Sequence, residues 1–124
     1  MKVLFGRVLG NIHILSTEVN GNDLVVNYVI INNFGAANLE NANFKNAGLW
    51  FVNFNSANLT NADLSGADLR NSSLRNADLS NANLQGVDLS GVNLSGADLS
   101  GANLSDVIYD QNTILKCVNH DICV

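Results

Sequence analysis

The sequence predicts an all-β solenoid, a stack of short coils built from five-residue units, from three observations. A small residue followed two positions later by a large one recurs every five residues from Ala37 to Tyr109 without an insertion. This period fits neither one helix, which turns about every 3.6 residues, nor one strand, whose side chains alternate about every two. The 124-residue chain also contains no proline, which suits a backbone whose N–H groups all serve in a ladder.

Each unit has a large residue, called its centre, and a small residue two positions before it. Residues two apart point to the same side of an extended segment, so both are predicted to face inward, with a corner in the three remaining positions. The predicted core residues are Leu39, Phe44, Leu49, Phe54, Leu59, Leu64, Leu69, Leu74, Leu79, Leu84, Leu89, Leu94, Leu99 and Leu104. Tyr109 is predicted to be the last centre of the repeat.

The second residue after the centre is mostly Asn in the first half of the repeat and Gly in the second, as in Asn41, Asn81, Gly66 and Gly101. Both residue types tolerate positive φ. This position therefore indicates tight corners.

The runs Ala62-Asp63-Leu64-Ser65-Gly66 and Ala97-Asp98-Leu99-Ser100-Gly101 resemble the A-D/N-L-x-x unit of pentapeptide-repeat proteins. The resemblance covers residues 36–110. It implies a right-handed, four-sided β-helix of about four coils, in which residues twenty apart stack. It also implies a bacterial, especially cyanobacterial, origin.

The two ends depart from the repeat, and we expect them to cap it. Residues 1–35 are predicted to form an N-terminal cap, either extended or in degenerate coils through Leu24, Val29 and Phe34. Asn20-Gly21 between apolar stretches favours a hairpin instead, and a helix over 3–15 is a further alternative. Arg7 and other polar residues interrupt the first fifteen residues, which argues against a signal peptide.

The tail, residues 111–124, is predicted to begin in phase with the repeat. Asn112 would then hold the small position and Ile114 the centre. We expect the apolar residues of the tail to cover the C-terminal end of the solenoid. These residues are Ile114, Leu115, Val118 and Ile122.

The net charge of −5 lies entirely in the repeat, because the charges in each end segment cancel. An acidic surface argues against direct binding of a nucleic-acid backbone, which requires Lys and Arg. No window approaches the roughly 18 apolar residues of a membrane span.

Cys117, His120 and Cys123 form one compact group of potential metal ligands. A structural zinc site requires about four ligands, and this group supplies three, so we expect no metal and no cofactor. A Cys117–Cys123 disulfide and two free thiols remain open. The cytoplasm is favoured, with the periplasm or thylakoid lumen as the alternative if the cysteines pair.

We expect no enzyme activity. His13 and His120 have no recognisable nucleophile partner. The stacked pairs Asp68/Asp88 and Asp78/Asp98 would serve in acid/base catalysis only inside a cleft that shifts their pKa values. A convex rod offers no such cleft.

Trp50 and Phe51 follow the centre Leu49, at positions that elsewhere carry residues such as Ser and Asn. The favoured interpretation is that they pack under the N-terminal segment or its loop. The alternative is a partner contact, for which two adjacent exposed aromatic residues are suited.

The sequence therefore predicts a non-enzymatic structural or protein-interaction module, with its partner and oligomeric state open. The resemblance also raises DNA mimicry directed at DNA gyrase, but the rod is short and Arg70 and Arg75 dilute its acidic residues. Lattice binding of the ice-binding kind needs a Thr-rich face, whereas the repeat holds only Thr60.

Overall fold

The computed structural model describes residues 11–31, with the strands as backbone, and residues 33–124. Two predictions fall largely on residues outside these ranges: the helix over 3–15 and the expectation that the first residues are not a signal peptide. Residues 11–15 belong to a strand. Within the described residues, the structure contains no helix with the length and apolar character that a membrane span requires.

The N-terminal part is a β-hairpin. Strand β1 spans Asn11–Asn20, strand β2 spans Asp23–Ile31, and the two pair antiparallel with a register irregularity between Ile14 and Ser16. The loop between them is two residues long, and Gly21 has a φ of 63°. Such a positive φ matches the loop to the right-handed twist of the strands. The hairpin replaces the degenerate coils considered for Leu24 and Val29.

After the hairpin, the chain winds so that residues twenty apart pair in parallel, from Asn33 with Asn53 to Asp88 with Ile108. At each pair the backbone bonds run in both directions. The Leu59 N–H donates to the Asp78 carbonyl over 2.8 Å, and the Asp78 N–H donates to the Ala57 carbonyl over 3.0 Å. Four five-residue units therefore make one coil, and each coil is hydrogen-bonded to the next.

With one exception, each corner from Phe34 to Val107 is a β-turn closed by the N–H of the small residue, as in Ala62 N–H to the Leu59 carbonyl over 3.0 Å. The second residue after every centre from Phe34 to Leu104 has a positive φ, as a type II turn requires at its third residue. This geometry explains the Asn and Gly found at that position.

The residue between the small residue and the centre, called the middle residue, faces outward and closes the corner a second time. The Asp63 carboxylate accepts the N–H of Ser65 over 3.0 Å, and the Asn93 side chain accepts the N–H of Ser95 over 3.0 Å. Asn and Asp favour such turns because their short side chains reach the backbone two residues on. The Asn and Asp residues at the middle positions therefore stabilise the turns of the scaffold.

The core is the stack of inward small residues and centres. The centres from Leu49 to Leu99 are almost completely buried, while Leu39 and Leu104 near the two ends are partly buried. Phe34, Phe44 and Phe54 form an aromatic cluster near the hairpin, with ring centroids 5.4 to 6.3 Å apart. Phe34 thus occupies a centre, one unit before Leu39.

The register changes by one residue in the tail, and this corrects two predictions. Asn93 pairs with Ile114, twenty-one residues on, before Asp98 resumes the spacing with Val118. Ile114 is therefore an outward middle residue, and Leu115 takes the inward position. Tyr109, predicted to be a buried centre, is 53% exposed, because no further coil lies beyond it in the described chain.

The tail covers the core with fewer residues than expected. Leu115, Ile122 and Cys123 pack against the core, whereas Ile114 and Val118 are exposed. Cys117 is buried at a small-residue position and forms a disulfide with Cys123, with the two Cα atoms 5.0 Å apart. The N–H of Val124 donates to the Leu115 carbonyl over 2.8 Å, which folds the tail back on itself.

Candidate interaction site at the aromatic corner

The turn from Gly48 to Val52, here called the aromatic corner, places its two aromatic side chains in solvent. Trp50 is 56% exposed and Phe51 is 70% exposed. Four departures from the repeat meet at this corner: Gly48, Trp50, Phe51 and Ser72.

Gly48 makes room for the indole of Trp50. It pairs with Asp68 at a middle position, where nearly every other unit has Asn or Asp. A Cβ atom on Gly48 would lie 2.7 Å from Cζ3 of Trp50, so any other residue at this position would force the indole to move. The indole is therefore laid over the backbone of Gly48, and its orientation depends on that glycine.

Phe51 holds a backbone conformation that bulky residues rarely adopt. Its φ is 58°, in the left-handed region where a large side chain is an outlier. The equivalent corner residues of the other units are Asn, Gly, Ser, Ala or Asp. Such strain persists where the surrounding structure enforces it, and it is concentrated at functional sites.

Ser72 replaces the hydrogen bond that would normally close this corner. In the other turns from Phe34 to Val107, the N–H of the small residue donates to the carbonyl of the preceding centre. Here the N–H of Val52 donates to Oγ of Ser72 over 3.0 Å, and that hydroxyl donates to the Leu49 carbonyl. The buried hydroxyl of the next coil is thus inserted between the two ends of the turn.

Beside the aromatic corner, Arg70 and Asp68 form a bidentate ion pair. Nε of Arg70 donates to Oδ1 of Asp68 over 2.8 Å and Nη2 donates to Oδ2 over 2.6 Å. These bonds lower the pKa of Asp68 and raise that of Arg70. With Trp50, Phe51 and Asn71, the pair lines a shallow depression of about 310 Å³.

The depression beside the aromatic corner is lined by one carboxylate, that of Asp68, which is already paired with a guanidinium that stays protonated. The site offers aromatic surface, an amide and a fixed ion pair, which is the composition of a contact surface for a ligand or partner.

Asp78, Asp88 and Asp98, the other carboxylates considered for catalysis, are engaged in their own turns, and Asp88 accepts the N–H of Ser90 over 2.9 Å. Asp63, which was not considered for catalysis, is held in the same way. Hydrogen bonds from the Ser65, Ser80 and Ser100 side chains, helped by backbone N–H groups, lower the pKa of Asp63, Asp78 and Asp98. A lowered pKa keeps these groups ionised near neutral pH, which suits structural acceptors better than proton donors.

Among the residues that the structure describes, no group of three or more His, Cys, Asp or Glu side chains is placed to hold a metal ion. Nδ1 of His120 accepts the N–H of Ile122 over 3.2 Å, so this imidazole is tied to the tail. His13 lies in β1, where only the backbone is described.

Two residues of the site escaped sequence reasoning although both carry a signal. Ser72 is the one Ser at a small position of the repeat, and Gly48 is the one Gly at a middle position. Neither residue is unusual when it is considered alone. Their positions relative to the corner are what indicate a role, because Ser72 stacks on Val52 and Gly48 lies two residues before Trp50.

The sequence matches the family model for pentapeptide repeats over residues 33–71 and 72–108, as eight copies. These ranges make up more than half of the chain. No curated protein matches the sequence closely enough to count as a relative.

Three solved cyanobacterial structures are similar to this chain. The pentapeptide repeat protein alr5209 from Nostoc Pcc 7120 is 37% identical with a TM-score of 0.63, over 74% of this chain and 79% of that one. HetL from Nostoc sp. strain PCC 7120, a protein involved in heterocyst differentiation regulation, is 31% identical with a TM-score of 0.43, over 72% and 52%. A pentapeptide repeat protein from Cyanothece 51142 is 38% identical with a TM-score of 0.32, over 65% and 62%.

Proposed function

Because the chain belongs to the pentapeptide repeat family, we propose that it is a non-enzymatic protein-interaction module that binds its partner through the aromatic corner. The scaffold is proposed to be a right-handed, four-sided rod of about four coils, with the hairpin and the tail as its caps. The observation that carries the proposal is the meeting of four departures from the repeat at one corner.

Three of the four departures replace a regular feature of the repeat. Gly48 gives up the side chain that closes the turn, Phe51 adopts a strained φ of 58°, and Ser72 buries a hydroxyl in the core. Their common result is a pair of exposed aromatic side chains in a fixed orientation. Aromatic residues dominate the binding energy of protein interfaces, so a contact role accounts for all four.

Another unit of the repeat, which also lacks Asn or Asp at its middle position, shows how the fold can compensate for that loss. Ser73 also lacks the usual middle side chain, but Asn55 of the adjacent coil accepts the N–H of Arg75 over 3.0 Å in its place. The fold can therefore repair a missing turn acceptor. At Gly48 the space is filled by the indole of Trp50 instead, which supports selection for the aromatic side chain.

Site-specific photo-crosslinking tests the proposal. A photoreactive phenylalanine analogue is placed at Phe51, and, as the matched control, at Asn76, which is also exposed with a positive φ of 55°. In cells of the source organism, we expect a discrete protein adduct from position 51 and none from position 76. Equal labelling from both positions, or none from position 51, would contradict a contact role for the corner.

The disulfide bears on the compartment. Structural disulfides persist in oxidising environments, so the pairing of Cys117 with Cys123 supports the periplasm or thylakoid lumen over the cytoplasm as the proposed location. Alkylation of protein taken directly from cells, followed by mass spectrometry, checks it. Full labelling of both thiols without prior reduction would contradict the proposal.

A further inference from the structure

One outward side of the rod carries exposed apolar groups at both ends. Gly48, Asp68, Asp88 and Ile108 follow one another in this stack through parallel pairs, and the side they form is here called the Trp50 face. The aromatic corner lies at its first coil. At its last coil, the outward Ile108 is 58% exposed, and Tyr109, which follows it at the open end of the coil stack, is 53% exposed.

The separation of the two apolar clusters follows from the stacking. Three steps at strand spacing, each about 4.8 Å, separate the first and last coils by roughly 14 Å. An extended peptide covers that length in about four residues, at roughly 3.4 Å each. A short extended segment with apolar side chains at its first and fifth positions would therefore reach both clusters.

Two carboxylates, those of Asp68 and Asp88, lie in the stack between the clusters. Two more lie in the last coil beside Ile108: Asp106 precedes it at the corner, and the Asp110 carboxylate accepts the N–H of Gly91 over 3.1 Å. Arg70 is the cation on this face, and its charge is held by Asp68. Four carboxylates against one guanidinium leave a local charge of −3.

The other cations of this part of the chain lie on the two neighbouring sides of the rod. Lys45 belongs to one side, where it contributes to lowering the pKa of Asp63, and Arg75 and Lys116 belong to the other. A partner on the Trp50 face would thus meet a negative surface bounded by apolar groups.

The exposed apolar area limits the kind of complex. Four large side chains of about 200 Å² each, a little over half exposed, offer roughly 500 Å². Stable protein pairs bury about 800 Å² on each partner. The area therefore suits a short segment that binds reversibly better than a second copy of the chain.

From the apolar ends, the acidic middle and the 14 Å span, we propose that the Trp50 face binds a basic extended peptide segment with apolar side chains four residues apart. This inference rests on the proposed interaction function and names the chemistry of the partner. The basic side chains would meet Asp88 and its neighbours, and the aromatic rings could also receive a cation on their faces.

The test uses the full chain and a synthetic probe, the acetylated and amidated pentapeptide Leu-Lys-Lys-Lys-Leu. Trp50 is the one tryptophan of the chain, so its fluorescence reports binding at the corner directly. Two control peptides are matched in length: one with Glu in place of Lys and one with Ser. We expect the Lys peptide to shift the Trp50 emission with a Kd at least tenfold below that of either control, and to lose affinity as salt is raised.

Two variants that keep Trp50 assign the effect. Asp88→Asn should weaken binding of the Lys peptide about twofold to fivefold, as expected for one exposed charge. Ile108→Ser should weaken it about tenfold, because the outward Ile108 is the apolar group at the far end of the face. Lys116→Ser, on another side of the rod, should leave it unchanged.

The outcomes separate this inference from the proposed function. If the Ser or Glu peptide binds as tightly as the Lys peptide, or Asp88→Asn has no effect, the basic partner is wrong while the corner can remain a contact surface. If no peptide changes Trp50 emission, the inference about the segment is overturned. The crosslinking comparison between positions 51 and 76 then decides the interaction function independently.

Discussion

Replacing Phe51 by Asn should stabilise the protein. Phe51 has a φ of 58° and is 70% exposed. The left-handed conformation costs a bulky L-residue about 1–2 kcal/mol, and Asn adopts it more readily. Burying a whole Phe stabilises by about 1.5–3 kcal/mol, so the covered third of this ring contributes only about 0.5–0.9 kcal/mol. The net expectation is a gain of roughly 0.5–1 kcal/mol.

The assay is urea unfolding followed by circular dichroism, because Trp50 fluorescence would respond to the substitution itself. The midpoint should rise with an unchanged slope, and Tm should rise by roughly 2–6 °C. Asn61→Phe is the reciprocal variant at an exposed corner with a φ of 59°, and it should lose about 1 kcal/mol. A loss of 1 kcal/mol or more in Phe51→Asn would refute the reasoning, and would show that the ring packs under another segment.

Three further predictions concern the scaffold. Leu79→Asp should abolish cooperative thermal unfolding, because it buries an unpaired charge at a fully buried centre. The adjacent outward change Ser80→Asp is the control. Near wild-type melting of Leu79→Asp would mean that the centre does not face inward. Gly96→Ala should destabilise the protein more than Gly86→Ala in urea. Both residues have positive φ, but a Cβ on Gly96 would clash with Oδ1 of Asn76, whereas a Cβ on Gly86 would meet nothing within 4 Å. Equal losses would show that Asn76 moves aside freely. The pKa values of Asp63, Asp78 and Asp98 are lowered from 3.8, so the stability that these carboxylates contribute is present above about pH 4 and is lost as pH falls through the lowered values. The unfolding midpoint, measured between pH 2 and 6, should decline on the acid side, and it should decline less steeply in Asp78→Asn. A midpoint that rises with added acid would contradict the assignment.

The repeat could be predicted from the sequence because its information is local. Leu64 and Ala62 lie two residues apart and face the same side. The apolar positions that recur in the sequence are therefore the positions that are buried in the core. The same holds for Asn41 and Gly66, whose positive φ follows from residue type. The hairpin at Gly21 also has a local cause, although the competing phase through Leu24 and Val29 concealed it.

The rest depends on contacts between coils, which the sequence does not display. Ile114 was placed at a centre because the period was continued, whereas one additional residue between Ile108 and Ile114 moves Leu115 inward. Tyr109 fits the period but has no further described coil to cover it. Ser72 acts on a turn twenty residues earlier, so its role becomes visible only when the coils are stacked.

The twenty-residue pairing has a consequence for how such a rod can change in length. Because each coil bonds only to the coils directly before and after it, removing or duplicating twenty residues within the repeat would return every later residue to an equivalent neighbour. A change by five residues keeps the corners in register but moves every later unit to the next side of the rod. A single additional residue must be compensated, as the one before Ile114 is compensated before Val118, where the twenty-residue spacing resumes. We therefore expect proteins of this architecture to differ in length by whole units rather than by single residues.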